Sequence, residues 1–161
     1  MTPGQAIVDV VQSLKGGYQR LALVVGPPRS GKTTAMRWAA EQFPFPVLNV
    51  NLELAKQLLP YSRQERPRAA GVALSELLAG QTTEVVGLDN LELLFSTELK
   101  LDPLRLLQSE SRQRILVATW NGSREGSELR YAKPGHPEFA TFQTPATPII
   151  SSALAATVET L

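Results

Sequence analysis

A short apolar run that leads into a glycine-containing, positively charged loop is the feature that most restricts how this chain can fold. The run, 21–25, is entirely apolar, as expected for a strand buried on both faces of a sheet. Gly26–Thr33 then matches the pattern G-x-x-x-x-G-K-[ST] in full, and Lys32–Gln42 favours a helix. This order predicts an α/β sheet with an anion-binding loop at the carboxyl end of a strand.

The loop has the residue types that binding of a nucleoside triphosphate requires. Gly26 and Gly31 let the backbone turn so that its N–H groups face phosphate oxygens. Lys32 supplies a charge for the β- and γ-phosphates, and the Thr33 hydroxyl is a hard ligand suited to Mg²⁺. We predict binding of ATP with Mg²⁺, leaving GTP open; the competing interpretation is a turn without a ligand. The predicted nucleotide-binding residues are Gly26, Pro27, Pro28, Arg29, Ser30, Gly31, Lys32, Thr33 and Thr34.

Alternating strand and helix signals predict a three-layer α/β fold with a mostly parallel sheet. Further strands are predicted at 47–50, 84–88 and 114–119, with a short one at 129–132. Two helices are predicted to begin at Thr2-Pro3 and at Asp102-Pro103. A further helix is predicted at 52–59, and another around Leu74, Leu77 and Leu78. Residues 60–68 are predicted to be a polar connection, and the tail from Thr141 has no clear period.

Length and composition favour one folded domain. The chain has 161 residues, of which 43% are hydrophobic and 19% charged, enough for one core but not for a second substantial one. We predict a single P-loop NTPase domain over residues 1–161, with its core at about 20–140 and the segment 141–161 unassigned.

An acidic residue at the end of the third predicted strand is the second nucleotide-associated feature. Asp89 follows the apolar segment 84–88, where a carboxylate can join the Mg²⁺ shell, in this case through water. An Asp-Asn turn is the alternative interpretation. Asn90 stands where many hydrolysing relatives have a glutamate, and Asn cannot take up a proton. Glu92 is then the candidate base, unless it is only a solvated or capping residue.

Other polar residues complete the set of candidates. Asn121, favoured over Thr119, follows the fourth predicted strand and can report the γ-phosphate. Arg124 and Arg130 are alternative arginine fingers toward a neighbouring subunit, or ordinary surface arginines. A basic cluster is the candidate DNA contact and alternatively a kinase lid; it consists of Arg63, Arg66 and Arg68.

Composition argues against several other kinds of site. The net charge is +1, so no overall positive field indicates nucleic acid, although a local patch stays open. The chain has no cysteine, and its lone His136 lies in a turn-rich segment, so neither a thiolate site, a zinc site nor a histidine triad is supported. No membrane span or secretory signal is recognisable, and the expected location is cytoplasmic.

The order of these segments resembles the BrxF family, small P-loop proteins of type III BREX bacteriophage-defence systems. The likeness spans residues 20 to 140, approximately, and its distinguishing strings are Leu-Asp-Asn-Leu-Glu and Tyr-Ala-x-Pro-Gly-His-Pro-Glu. The similar segments are Gly26–Thr33, Val50–Leu54, Leu88–Phe95, Asp102–Leu104 and Tyr131–Glu138.

The resemblance implies a compact, AAA+-like ATPase core without a helical lid domain. It also implies action with other BREX proteins in discriminating host from phage DNA. An incomplete site of this kind predicts a homo-oligomer with ATP that supplies the missing group in trans. Two other functions stay open: a nucleotide-binding scaffold or switch with little hydrolysis, which Asn90 favours, and a small-molecule kinase.

Overall fold

A computed structural model describes residues 1–143, 146–153 and 158–160 of the chain. The helices are α1 Pro3–Leu14, α2 Lys32–Gln42, α3 Val50–Leu58, α4 Arg66–Ala79 and α5 Pro103–Glu110, with a 3₁₀ turn at Glu92–Phe95. The strands are β1 Leu21–Gly26, β2 Val47–Asn49, β3 Val85–Asp89, β4 Ile115–Glu125, β5 Glu128–Tyr131, β6 Ala140–Gln143, β7 Pro148–Ser151 and β8 Val158–Thr160.

The strands form a mostly parallel sheet in the order β2-β3-β4-β1-β7-β8. Neighbours from β2 to β7 run parallel, and β8 is antiparallel to β7. β4 extends beyond this sheet and pairs antiparallel with β5, which pairs with β6. The register aligns Gly26 of β1 with Asn121 of β4, so the strand ends that carry the candidate residues meet at one edge. The predicted α/β fold with a mostly parallel sheet is confirmed.

Helices cover both faces of the sheet, because side chains alternate along each strand. Leu23 and Val25 of β1 pack into a core with residues of α3, α4 and α5. Ala22 and Val24, on the other face of the same strand, pack with α1 and α2. This is the three-layer arrangement that the continuous apolar run of β1 predicts.

The helix starts predicted at Thr2-Pro3 and Asp102-Pro103 are confirmed by their caps. Thr2 accepts from the Gln5 backbone N–H while the Gln5 side chain accepts from the Thr2 N–H, at 3.2 and 2.8 Å. Asp102 caps α5 by accepting from the Arg105 backbone N–H at 3.1 Å. Each cap satisfies N–H groups that have no partner within the helix, and a proline follows each cap where its missing N–H costs nothing.

Some predicted bounds were wrong. The strand predicted at 47–50 ends at Asn49, and the helix predicted at 52–59 begins at Val50, where the Asn49 side chain caps it by accepting from the Leu52 N–H. The polar connection predicted at 60–68 ends earlier, because α4 begins at Arg66 and includes Pro67 in its first turn. β4 does not stop at Thr119 but continues to Glu125, because it gains β5 as an antiparallel partner. The tail without a clear period contains strands β6, β7 and β8, while residues 144–145, 154–157 and 161 lie outside the described residues.

Within the described residues, no helix combines the length and the apolar character that crossing a bilayer requires.

Candidate nucleotide-binding site

A cavity of about 510 Å³ lies at the carboxyl ends of β1 and β3, beside Thr119 and Asn121 in the middle of β4. It brings together the loop and most of the predicted site residues from the other strands, including Asp89, Glu92 and Asn121. Its volume falls within the range of small-molecule sites. The lining consists of Pro28, Arg29, Ser30, Gly31, Lys32, Thr33, Thr34, Asp89, Asn90, Glu92, Thr119 and Asn121.

The loop turns through two residues in the left-handed region. Arg29 has a φ of 59° and Gly31, the N-cap of α2, a φ of 93°. Left-handed residues next to ordinary ones let successive N–H groups point into one concavity, which is an anion-binding arrangement. A Cβ added at Gly31 would meet no atom within 4 Å, so strain rather than a collision requires glycine there.

Lys32 is buried, and its ammonium lies against the loop itself. Nζ donates to the carbonyl oxygens of Gly26 at 3.0 Å and Pro27 at 2.5 Å, and lies 3.4 Å from the Ser30 hydroxyl. Burial lowers the pKa of Lys32 below its ordinary value, while the charges of Asp89 and Glu92 act in the opposite direction. The cation is therefore held beneath the concavity of the loop, beside two carboxylates.

Asp89 is buried, with 7% of its surface exposed, and both its oxygens accept hydroxyl hydrogen bonds. Thr33 Oγ1 donates to Oδ2 at 2.8 Å, and Thr119 Oγ1 donates to Oδ1 at 2.8 Å. The backbone N–H of Asn90 also donates to Oδ1, at 3.0 Å. The structure thus joins Thr33 and Asp89, which were predicted as a pair, and adds Thr119.

Asn90 forms a turn that separates Asp89 from Glu92. Its φ of 56° is left-handed, a conformation that Asn tolerates better than most residues other than glycine. Its carbonyl accepts from the Asn51 backbone N–H at 2.9 Å, which ties the turn to the start of α3. After this turn Glu92 begins the 3₁₀ turn, and its carboxylate lines the same cavity as Asp89.

Two asparagines hold the Glu92 carboxylate. Asn51 Nδ2 donates to Oε2 and Asn121 Nδ2 donates to Oε1, both at 2.9 Å. Asn51 Oδ1 in turn accepts from the Leu93 backbone N–H at 2.7 Å. Asn51 was not among the predicted site residues. It lies in Val50–Leu54, one of the segments similar to the BrxF family, and that similarity could have indicated a role for it.

The candidate arginines lie outside the cavity lining. Arg130, on β5, pairs within the chain with Glu128 at 2.7 Å and Glu125 at 3.1 Å, and the Glu128 hydrogen bond raises its pKa. Arg124 lies on the β4 extension opposite Leu129. Their role as fingers toward another subunit stays a prediction.

The basic cluster is not a lid over this cavity. Arg63 pairs with Glu98, and Arg66 donates to the Tyr61 carbonyl at 3.2 Å. Arg66 and Arg68 belong to the first turns of α4 instead of a connecting loop. The predicted DNA contact through these three residues stays a prediction.

A second cleft, of about 880 Å³, adjoins the cavity on the β4 side. Pro28, Glu92 and Asn121 line both spaces, while Lys133 and His136 line only the second. Its wall is supported by Tyr131, whose ring stacks on Phe95 with centroids 3.5 Å apart. Burial raises the pKa of Tyr131, so its phenol stays neutral. The lone His136 accepts from the Glu138 N–H at 3.0 Å, a local turn contact that fits its predicted structural role.

These residues fit a hydrated Mg²⁺ with a phosphate chain. A buried carboxylate and a hydroxyl within hydrogen-bond distance of each other are hard oxygen ligands of the kind Mg²⁺ uses beside substrate phosphates. Within the described residues, no group of three or more His, Cys, Asp or Glu side chains could hold a metal ion. The contact of Asp89 with a cation through water stays a prediction.

No protein-family model matches the sequence, and no curated protein matches it significantly. Among solved structures, C. elegans PCH-2 is similar at 15% sequence identity and a TM-score of 0.42. The matched region is 76% of this chain but 37% of the PCH-2 chain, so this chain spans little more than a third of that protein. A likeness of this degree carries no inference about activity.

Proposed function

We propose that the chain binds ATP with Mg²⁺ in the cavity between the phosphate loop and the ends of β3 and β4. The observation that carries the proposal is the contact of Thr33 with Asp89 beside the buried Lys32. A cation-binding oxygen pair and an ammonium then lie on neighbouring parts of one concavity. An isolated glycine-rich turn would not bring a carboxylate from a separate strand to the threonine of the loop.

We further propose slow hydrolysis with Glu92 as the base. In this reaction a water oxygen attacks the γ-phosphorus, its proton passes to Glu92, and ADP leaves. Bound Mg²⁺ would offset charge on the phosphates. Both Glu92 oxygens already accept amide hydrogen bonds, so the attacking water must share or displace one of them. That arrangement, with Asn90 after Asp89, equally favours the second candidate function, a nucleotide-controlled switch with little turnover.

We place this activity in a compact, AAA+-like P-loop core that acts as a subunit of a BREX-type defence system. The family resemblance is the basis for that role, including other BREX proteins and DNA as partners. Within the described residues, the helices that carry core side chains pack on the two faces of the sheet, which supports a core without a helical lid. A small-molecule kinase is not proposed, because the cluster suggested as its lid does not line the cavity.

Self-association with ATP is the remaining part of the proposal. The cleft that adjoins Glu92 and Asn121 gives a residue of a second subunit room to reach the terminal phosphate. Arg124 and Arg130 stay the candidates for that residue, and Arg130 would have to leave Glu128 and Glu125 to serve.

Calorimetry with ATP and Mg²⁺, combined with a phosphate-release assay, tests the proposed function. Wild-type protein should bind ATP. Lys32→Ala should weaken the affinity for ATP by about tenfold or more, because hydrogen bonds between the ammonium and the phosphates are lost. Arg37→Ala is the matched control, since it removes a cation from the same helix outside the cavity lining. Equal affinity in wild-type and Lys32→Ala protein would contradict the site.

The same samples test assembly. Light-scattering mass should rise with ATP and Mg²⁺ in wild-type protein but not in Lys32→Ala. A mass that stays monomeric across a concentration series well above micromolar would contradict the proposal that one subunit supplies a residue to the site of another. Turnover that is absent although ATP binds would select the switch over the ATPase.

A further inference from the structure

We propose that Ser152, at the end of β7, is a positioning residue that holds the phosphate loop in its anion-binding conformation. This inference rests on the proposed nucleotide site and adds to it a residue from the C-terminal segment. Sequence patterns gave this segment no role.

β7 brings Ser152 beside the start of the loop. The parallel register of β7 with β1 aligns Ser151 with Val25, the residue before Gly26. The Ser152 backbone N–H continues this pairing by donating to the Val25 carbonyl at 2.9 Å. The backbone pairing with β1 therefore fixes the position of Ser152.

The Ser152 hydroxyl contacts the interior of the loop. Its Oγ lies 2.7 Å from Ser30 Oγ, a distance typical of a hydrogen bond between hydroxyls. Ser30 Oγ in turn lies 3.4 Å from Lys32 Nζ. A chain of polar contacts thus runs from the C-terminal segment to the ammonium that is to face the phosphates.

Packing at Gly26 shows how closely these groups fit. A Cβ at Gly26 would lie 1.8 Å from Ser152 Oγ and 2.6 Å from Ser30 Oγ. Both distances are far below any allowed contact, so a side chain at 26 would expel the serine pair. The first glycine of the motif therefore leaves room for this pair, in addition to easing the turn of the loop.

The loop conformation needs such support. Ser30 lies between Arg29 and Gly31, both left-handed. That conformation is disfavoured for Arg29, and it persists only where the surroundings hold it. A loop already fixed before ligand arrives loses less conformational freedom on binding, which increases affinity. The contact of Ser152 with Ser30 is a restraint of this kind on the middle of the loop.

Calorimetric titration with ATP and Mg²⁺ of Ser152→Ala, Ser30→Ala and the double variant tests this role. Loss of one neutral hydrogen bond should weaken affinity about fivefold in Ser152→Ala, and at least as much in Ser30→Ala, which also loses the contact with Lys32. The double variant should bind no more weakly than Ser30→Ala, because the contact between the two serines is already lost there. Ser151→Ala is the control, and its affinity should not change. Among the described residues, the Ser151 hydroxyl accepts a local bond from the Ala153 N–H at 3.1 Å and makes no hydrogen bond with the loop.

Thermal melting without nucleotide separates positioning from general stability, because the melting temperatures of Ser152→Ala and Ser151→Ala should agree. Ser30→Ala tests the contact from the loop side should Ser152→Ala fail to fold. Two results would overturn this inference but not the proposed function. One is an affinity of Ser152→Ala equal to that of wild type, and the other is a loss of affinity in the double variant equal to the product of the two single losses. Absence of binding by the wild-type chain would overturn the proposed function and the inference with it.

Discussion

Asp89 and Glu92 line one cavity, three positions apart in the sequence, yet their carboxylates have different partners. Asp89 accepts from the hydroxyls of Thr33 and Thr119, whereas Glu92 accepts from the amides of Asn51 and Asn121. A hydroxyl can rotate and offer a lone pair, while an amide NH₂ group only donates. The Asp89 end can therefore rearrange around a cation, and the Glu92 end holds its carboxylate in a fixed orientation.

The difference shows that the local backbone, more than residue type, assigns these two acids their environments. The left-handed Asn90 reverses the chain after β3, so that Asp89 stays in line with its strand while Glu92 enters a 3₁₀ turn. Asp89 then faces the loop threonine, and Glu92 faces the first turn of α3 and the middle of β4. These different surroundings support the proposal that Asp89 is the cation-associated residue and Glu92 the base.

The largest expected effect follows from removing the proton acceptor. Glu92→Gln keeps the side-chain shape but cannot take up a proton from water, so turnover should fall roughly 100- to 1,000-fold. Affinity for ATP with Mg²⁺ should change less than about threefold. Phosphate release and calorimetry measure the two effects, and Glu98→Gln, on the exposed pair with Arg63, is the control. A loss of affinity with unchanged turnover would reverse the roles assigned to the two acids.

A smaller and different effect is expected at the other carboxylate. Mg²⁺ should increase the affinity for ATP, and Asp89→Ala should lower the affinity measured with Mg²⁺ about tenfold. The affinity measured without metal should stay nearly unchanged, because the proposed partner of Asp89 is the cation. Titrations with Mg²⁺ and with a chelator provide the comparison. Thr119→Val keeps the carboxylate but removes one supporting hydroxyl, so its effect should be intermediate. Equal losses with and without metal would make Asp89 a structural residue.

The part of the site that is contiguous in the sequence could be predicted from it. A complete loop motif between an apolar run and a helix predicts where the loop lies, and most of its residues line the cavity. Asp89 could also be predicted, because a buried strand that ends in an acid delivers it to the edge where β1 ends. Both predictions use only local patterns and the rule that parallel strands end at one edge.

The remainder depends on which strands become neighbours, and no local pattern encodes that. Asn51 lies close to Glu92 because its backbone N–H donates to the Asn90 carbonyl. Ser152 lies close to Ser30 because β7 pairs with β1. β7 is a four-residue strand in a segment rich in Thr, Pro and Ala, so its propensity signal is weak. The end of β4 was misplaced for the same reason, since its extension depends on its pairing with β5.

The smallest expected effect concerns Lys32, on whose pKa the charges of both acids act. Burial lowers the pKa of Lys32 below its ordinary value of 10.5, although Asp89 and Glu92 act to raise it. Bound phosphate oxygens favour the charged ammonium and so raise this pKa. At pH values between the Lys32 pKa of the free protein and the higher Lys32 pKa of the complex, ATP binding must take up protons. The affinity for ATP must therefore fall as the pH rises through this range.

Calorimetry at about pH 9, in two buffers of different ionisation enthalpy, measures this uptake directly. We expect a fraction of a proton per ATP in wild-type protein and a lower value at neutral pH, where Lys32 is more fully charged in both states. Lys32→Arg is the decisive control, because a guanidinium keeps its charge over this range. Uptake that persists in Lys32→Arg would place the proton on a group other than Lys32 and would contradict this account. Uptake confined to wild-type protein would mean that the phosphates bind close enough to Lys32 to favour its charged form.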